Sequence, residues 1–396
     1  MGRDPPLTSA TLRTVPSTAD VVIIGGGVMG ASTAFHLAEA GVRNVIVVER
    51  GELGCGSSGK PIGGVRAQFS DPLNIELGHR SLHAYRDFPR RPGAGIRLDT
   101  VGYLFLLDTA RQAREFEAGV DIQNGLGVPS RMIDPDEAQR LCPYVSTDGL
   151  VAAAYSPADG HARPALVVQG YARAAARAGV ALATHTAVIG LDTAGDRVTG
   201  VHTNRGRIAC ATVICTAGAW SARIGDMIGT RLPVRPVRRQ LSFTEPLTPP
   251  APRIPFTIDF SSTAYFHNSD DGLLFGLADP DEPEGFDTTW TPEWLELFRA
   301  AARRRAPALA DMRTDGGWAG LYEVTPDHNA LIGRSAEYPN FLYAAGFSGH
   351  GFLQAPAVGE IMRDLYLERE PCTDIAPLGA DRFRQGAGTR PEAHVV

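Results

Sequence analysis

Lysine is almost absent from this chain of 396 residues. Lys60 is the only one, against 38 Lys and Arg together, so arginine supplies nearly all the positive charge. A compact, tunable ammonium kept where every other basic position is a planar fork makes Lys60 a candidate functional side chain. A positive excess is missing as well. Forty-four Asp and Glu leave a formal charge of −6, which argues against nucleic acid as a partner. Cysteine is sparse: Cys55, Cys142, Cys210, Cys215 and Cys372 are odd in number, with no CxxC and no zinc spacing. A disulfide scaffold is excluded, no metal is expected, and the thiols read as small buried or partly buried side chains. Long apolar runs are lacking too. No stretch of about 18 apolar residues exists, so no membrane-spanning helix and no membrane partner are expected. Residues 1–20 hold no apolar run of signal-peptide length, so the expected location is the cytoplasm.

What is present fits a globular protein. Apolar residues make up 43% and charged residues 21%, so general disorder is excluded. Forty-four Gly and 29 Pro without a period predict many turns. The length suggests two domains of roughly 150–200 residues each.

The first chemical signal follows a loose extension over 1–18. Residues 20–25, DVVIIG, read as a buried strand, and GGGVMG (25–30) places Gly25, Gly27 and Gly30 in G-x-G-x-x-G register. Residues 31–41 have helical spacing and stop at Gly41, and VIVVER (45–50) is a second strand that ends in Glu49. In such a unit Gly25 permits the tight turn, Gly27 lets the backbone approach a pyrophosphate, and Gly30 lets helix and strand pack closely. The helix N-terminus offers N–H groups and partial positive charge to phosphates. Glu49 stands where an acid can accept the ribose hydroxyls. The pattern predicts a bound adenine dinucleotide, and by itself does not choose between NAD and FAD. The Gly/Ser-rich loop over 50–70 stands where an NAD enzyme usually begins another helix. It offers many backbone N–H groups to the rest of a larger cofactor.

The middle of the chain is mixed. Helices are expected over 71–88, 110–124, 134–141, 164–178 and 290–306, with a strand pair or hairpin over 97–109 and hairpin strands near 187–192 and 197–203. His79 and His83 lie four apart, but no third ligand is evident, so they read as solvated or packed side chains. Arg303, Arg304 and Arg305 read as a solvated face. Strand-like runs at 240–245, 264–268 and 272–278 suggest a meandering sheet. Near the end a strand (341–345) enters the turn Gly346-Phe347-Ser348-Gly349-His350-Gly351-Phe352, and a helix is expected to begin near Pro356.

GGGVMG with Glu49, GCGSSG, VRAQFS, TAGAW, YEVTPDHNALIG and GFSGHGF occur in that order over roughly residues 19–370. Together they resemble the FAD-dependent D-amino-acid oxidase superfamily, in its sarcosine oxidase, glycine oxidase and proline dehydrogenase branch. The resemblance implies an α/β fold: a Rossmann-like FAD-binding domain of discontinuous segments (19–95, 150–232 and 320–375) and a mixed antiparallel-sheet substrate domain (96–149 and 233–319). Residues 1–18 and 376–396 are left as tails. It implies oxidation of a C–N bond of an amine or amino acid, with hydride transfer to flavin N5 and an imine as product. It carries Gly25, Gly27, Gly30 and Glu49 onto the ADP half, with Val28, Met29 and Arg50 beside them. Ser57, Ser58, Gly59 and Lys60 would follow the pyrophosphate or flavin edge. Val188, Ala217, Gly218 and Trp220 would cover the cofactor. Gly349, His350, Gly351, Phe352 and Leu353 would face the flavin pyrimidine edge. Lys60, Arg66, Tyr265, Tyr322 and His350 are the candidate catalytic residues, with Arg66 pairing with a substrate carboxylate.

Departures from the family pattern refine this. Gly320 stands where monomeric sarcosine oxidases carry a flavin-linking cysteine, so FAD is expected to be noncovalent. Leu274 and Leu353 replace two family lysines. That implies a dehydrogenase or slow oxidase, or a charge supplied by Lys60. The electron acceptor is O2 or another molecule, and the branch leaves room for a partner subunit. Two alternatives stay open: a non-catalytic flavoprotein subunit or assembly factor, and a flavin monooxygenase.

Overall fold

The computed structural model describes residues 14–384 and 391–395, so most of the 1–18 extension lies outside the described residues. Two eight-stranded sheets organise the chain. In the first, strands Phe341–Ala345, Gly206–Cys215, Thr18–Ile24, Val45–Val48 and Ala181–Ala183 run parallel in that spatial order. Leu331–Arg334 pairs antiparallel at one edge, and the strands Val188–Ala194 and Arg197–Thr203 extend Gly206–Cys215 as an antiparallel flap.

The parallel strands are apolar on both faces because both are covered. Val21, Ile23, Val45 and Val47 join the core under the helices Val28–Glu39, Pro164–Arg177 and Gly351–Tyr366. Val22, Ile24, Ile46 and Val48 pack on the opposite side with Val198, Val201, Ile208 and Tyr343.

The second sheet runs Thr314–Val324, Arg235–Thr244, Gly272–Leu277, Ala264–Ser269, Phe256–Asp259, Tyr103–Leu107, Ala152–Ser156, Arg131–Ile133. It is antiparallel except where Phe256–Asp259 runs parallel to Tyr103–Leu107. Its period-2 pattern sends Leu104, Leu106, Phe266, Leu273 and Phe275 toward Trp294 and Phe298 of the helix Trp294–Arg305. Tyr103, Phe105, Leu241, Phe256, Ile258 and Tyr265 gather on the other face. Strands Ala152–Ser156 and Thr314–Val324 hydrogen-bond into this second sheet, although residues 150–232 and 320–375 were expected with the first.

Several local expectations are corrected. Residues 97–109 form one strand, Tyr103–Leu107, and no hairpin; Gly102 (φ +85°) breaks the run, and the strand finds its partners at Ala152–Ser156 and Phe256–Asp259. The last long helix begins at Gly351, and Pro356 lies inside it. A proline there cannot donate to the Phe352 carbonyl, and the Tyr85 hydroxyl donates to that oxygen instead. Arg305 is no part of a solvated face. It is 2% exposed, its Nη2 bonds Asp108 at 2.6 Å, and its Nη1 donates to the Ser146 carbonyl at 2.7 Å. Cys55 and Cys372 are exposed, and all five thiols are free.

The described residues of the segment expected as a C-terminal tail, 376–384 and 391–395, are packed. Arg382 binds Asp327 through Nε and Nη2, both at 2.9 Å. Glu392, 2% exposed, accepts from Ser70 N–H (2.8 Å), Ser70 Oγ–H (2.7 Å), Asp71 N–H (3.1 Å) and Asn74 Nδ2–H (3.0 Å). The His394 ring stacks on Phe116 at 3.8 Å.

Candidate active site

A cavity of about 530 Å³ lies where the glycine turn of the first sheet meets the inner face of the second. That is within the usual range for small-molecule clefts. At one end the strand Thr18–Ile24 turns into the helix Val28–Glu39. Gly25 adopts φ +109°, and a Cβ there would lie 2.4 Å from the Thr216 carbonyl oxygen. A side chain at Gly30 would stand 1.9 Å from the Gly25 carbonyl. These two glycines let strand, turn and helix touch. Met29 and Gly30 N–H have no carbonyl four residues back within the helix. Val28 N–H donates to Ser58 Oγ at 2.8 Å, which ties the 50–70 loop to the turn. Glu49 completes this end: Oε2 accepts from Gly26 N–H at 2.8 Å and Oε1 from Gly51 N–H at 2.9 Å.

Most residues expected from sequence converge here. Gly25, Gly27, Val28, Met29, Glu49 and Arg50 line the cavity, as do Ser57, Ser58 and Lys60. So do Val188, Ala217, Gly218 and Trp220, and the run Gly349, His350, Gly351, Phe352, Leu353. Arg50 lies over the Trp220 ring at 3.5 Å and closes one wall. Gly30 and Gly59 do not face the cavity. They allow close packing, Gly59 against the Gly54 carbonyl at 2.5 Å from an added Cβ.

At the other end stand Arg66, Tyr265, Tyr322 and His350. Tyr265 and Tyr322 are hydrogen-bonded to each other, and burial raises both phenols above their ordinary range, so they stay protonated. Burial, reinforced by the Arg66 charge, lowers His350 to about 3, so its ring is neutral near pH 7. His350 Nε2 lies 3.4 Å from Arg66 Nη2. Arg66 donates from Nη1 to the Gln68 carbonyl and from Nη2 to the His394 carbonyl at 2.7 Å. Lys60 sits on the rim, where its Cβ and Cγ occupy the space that Gly320 leaves; Trp318 Nε1–H donates to the Lys60 carbonyl at 2.7 Å.

Among the cavity residues that the sequence reading did not single out, two are charged side chains on the second sheet, Arg239 and Glu323. Arg239 enters from the strand Arg235–Thr244, with its guanidinium carbon 5.2 Å from the Tyr322 ring centre. Strand alternation with Val237 and Leu241 was the signal available for it. Glu323 accepts from Gly346 N–H at 3.0 Å, and burial pushes it up to about 7. Nothing in its local sequence marks a buried acid.

The lining fits an extended dinucleotide. A glycine turn and helix N-terminus suit phosphates, and Glu49 offers carboxylate lone pairs beside them. The buried Ser57 Oγ has no partner within the protein, as expected of a group reserved for a ligand. Among the described residues no cluster of three or more His, Cys, Asp or Glu side chains could hold a metal, and no helix is long and apolar enough to cross a membrane. His79 and His83 face each other at 3.1 Å between Nε2 atoms, outside the cavity.

Comparison with known proteins agrees with this geometry. The family described as FAD dependent oxidoreductase (DAO) matches residues 20–365. The FAD-dependent oxidoreductase domain-containing protein 1 of Bos taurus is 30% identical over 94% of this chain and 86% of its own. The 4-methylaminobutanoate oxidase (formaldehyde-forming) of Paenarthrobacter nicotinovorans is 27% identical over 93% of this chain and 46% of its own. The mitochondrial dimethylglycine dehydrogenase of Rattus norvegicus is 28% identical over 94% and 46%. The chain thus spans about half the length of these last two relatives. Among solved structures, L-proline dehydrogenase from P. horikoshii superposes with a TM-score of 0.88 at 33% identity, covering 94% of this chain and 99% of that one. Glycine oxidase from Geobacillus kaustophilus gives 0.82 at 27% identity, covering 93% and 99%.

Proposed function

The chain belongs to the FAD-dependent oxidoreductase family, and from that premise we propose that it oxidises a carbon–nitrogen bond of a secondary or N-methylated amino acid. Bound FAD supplies the two-electron acceptor that converts the C–N bond to an imine, which water then hydrolyses. The observation that carries this reading is the single cavity that joins the glycine turn to the Tyr265–Tyr322–His350 end. The glycine turn, Glu49 and the Ser57–Ser58 loop would hold the ADP half, and the Gly349–Leu353 backbone the ring.

The protein's own groups prepare the substrate. Arg66 and Arg239 place positive charge in the cavity, which disfavours an ammonium ion and favours the neutral amine needed for oxidation. Protonated Tyr265 and Tyr322 offer hydroxyls that orient the substrate without adding charge. Neutral His350 adds no charge of its own beside Arg66. Leu241, Ile258 and Leu353 form apolar wall that suits carbon next to nitrogen. The names of the relatives support a secondary or N-methylated amine, since proline, dimethylglycine and 4-methylaminobutanoate share that feature. O2 or another electron acceptor takes the electrons, and the enzyme is cytoplasmic.

Anaerobic titration of the purified yellow protein tests this. Proline, N-methylglycine, N,N-dimethylglycine and 4-methylaminobutanoate are added in turn, with glycine and alanine as primary-amine controls. Bleaching of the visible flavin band by at least one of the first four is expected. A flavin that none of them reduces, or that only primary amines reduce, contradicts the proposal.

A further inference from the structure

The carboxyl of Glu323 stands in the cavity without a counter-charge. Successive side chains of the strand Thr314–Val324 point to opposite faces of the sheet. Tyr322 joins Tyr265 at one end of the cavity, with Arg66 and Arg239 on its side. Glu323 turns the other way, toward the turns of the first sheet. Its Oε2 accepts from Gly346 N–H at 3.0 Å, and Phe347 N–H also donates to the carboxyl. The same oxygen lies 3.8 Å from where a Cβ on Gly218 would stand. Glu323 is half-buried and lines the cavity, so a bound molecule would cover it.

The elements packed around it supply no charge to offset its own. Cys215, at the end of the strand Gly206–Cys215, is pushed up to about 11 by burial and is neutral. His350, beyond the Gly346 turn, is neutral as well. Arg238 on the neighbouring strand is bonded to Glu282 and Asp287, each at 2.9 Å. Arg223 of the helix Ser221–Asp226 lies over the Phe286 ring at 3.9 Å. Burial without a cation favours the neutral acid over the carboxylate. A dinucleotide brings negative phosphates into the same cavity, which moves the balance further the same way. The neutral acid also has what the ionised form lacks, an O–H donor, and a dinucleotide is rich in acceptors.

We propose that Glu323 holds the cofactor as a neutral acid, donating its O–H to an acceptor of bound FAD, so that FAD binding is linked to proton uptake. One proton passes from solvent to the carboxylate, and no other bond forms or breaks. The proposal rests on the cavity as the FAD site and holds whatever amine is oxidised there.

The test titrates the full-length apoprotein with FAD between pH 6 and pH 8.5. The dissociation constant is read from flavin fluorescence, and proton uptake from calorimetry in buffers of different ionisation heat. With the free carboxyl at about 7, wild-type affinity should be level below that pH and fall roughly tenfold per pH unit above it, with close to one proton taken up per FAD at pH 8. Glu323→Gln keeps a donor but does not titrate. Its affinity should lie within about threefold of wild type at pH 6, stay level to pH 8.5, and exceed wild type there. Glu323→Leu keeps neither donor nor acceptor and should bind roughly tenfold more weakly at pH 6. Asp159, also raised to about 7, does not line the cavity, and its contribution cancels between wild type and Glu323→Gln. A wild-type constant level to pH 8.5 overturns the proposal. So does a Glu323→Gln slope equal to wild type, a Glu323→Gln affinity more than threefold weaker at pH 6, or a Glu323→Leu affinity equal to wild type. If Glu323→Gln does not fold, wild-type proton uptake carries the test, and none at pH 8 overturns it. Apoprotein that takes up no FAD at any pH contradicts the cofactor reading of the cavity itself, and the proposal falls with it.

Discussion

Glu49→Gln tests the ADP end with almost no change of shape. The carboxylate has four lone-pair sites. Two are taken by Gly26 N–H at 2.8 Å and Gly51 N–H at 2.9 Å, and the Cys55 thiol reaches Oε1 at 3.8 Å, so the free lone pair for a ribose hydroxyl is on Oε2. The amide has one oxygen and one NH2. Whichever way it turns, the NH2 meets one of those two N–H groups, donor against donor. A lost hydrogen bond to a charged acceptor costs about 1.5–3 kcal/mol, and a stranded N–H adds about 1 kcal/mol or more. The stranded N–H weakens apoprotein and holoprotein alike, so the lost ribose bond, about 1.5–3 kcal/mol, falls on binding, roughly a 10- to 100-fold rise in the FAD dissociation constant. The assay is titration of apoprotein with FAD, followed by loss of flavin fluorescence, beside thermal unfolding of the same apoprotein. Glu49→Asp, one methylene shorter, cannot span both N–H groups and should fall between. A dissociation constant within threefold of wild type, whatever the loss of apoprotein stability, refutes the assignment of Glu49 to the ribose.

Lys60→Met should slow reoxidation of the reduced protein by O2 at least several-fold in stopped flow; unchanged flavin reduction and reoxidation rates remove Lys60 from the mechanism. Glu392→Ala strands the Ser70, Asp71 and Asn74 donors and should cost about 2–4 kcal/mol, lowering Tm by about 5 °C or more; an unmoved Tm shows the 391–395 segment does not hold the site. Stability should rise steeply with pH between 5 and 6. Burial holds His267 and His350 neutral at about 3, and His36, His161 and His394 at about 4, below the ordinary 6.5, so the unfolded chain binds more protons. Asp159 and Glu323, raised to about 7 by burial, act in the opposite sense. Five histidines against two carboxyls leave about three protons, or about 4 kcal/mol per pH unit. Denaturant midpoints that are flat from pH 5 to 6 would show that these groups are solvated.

The parts of the site that could be read from sequence are local. Gly25, Gly30 and Glu49 belong to one strand–turn–helix–strand unit, and the geometry of that unit follows from a few adjacent residues. The His350 turn was legible for the same reason, as a strand running into glycines, although its helix starts at Gly351 because a tyrosine from another helix serves the carbonyl that Pro356 cannot. Long-range choices were not legible. Strand alternation puts Arg239 on the face of Val237 and Leu241, but only the sheet register shows that this face is the cavity and that Arg238 faces Glu282. Arg305 looked like its exposed neighbours until Asp108, far away in the chain, was seen beside it. Glu392 has no periodicity around it, and its partners lie some 320 residues earlier.

The place of the cofactor is the central claim to test. A crystal structure of the yellow holoprotein settles this in one measurement. The predicted result is an ADP half against Gly25–Gly30 and Glu49, with the pyrimidine edge of the ring within hydrogen-bond reach of the Gly349–Leu353 backbone. FAD bound outside this cavity, or a ring turned away from the His350 turn, would contradict it.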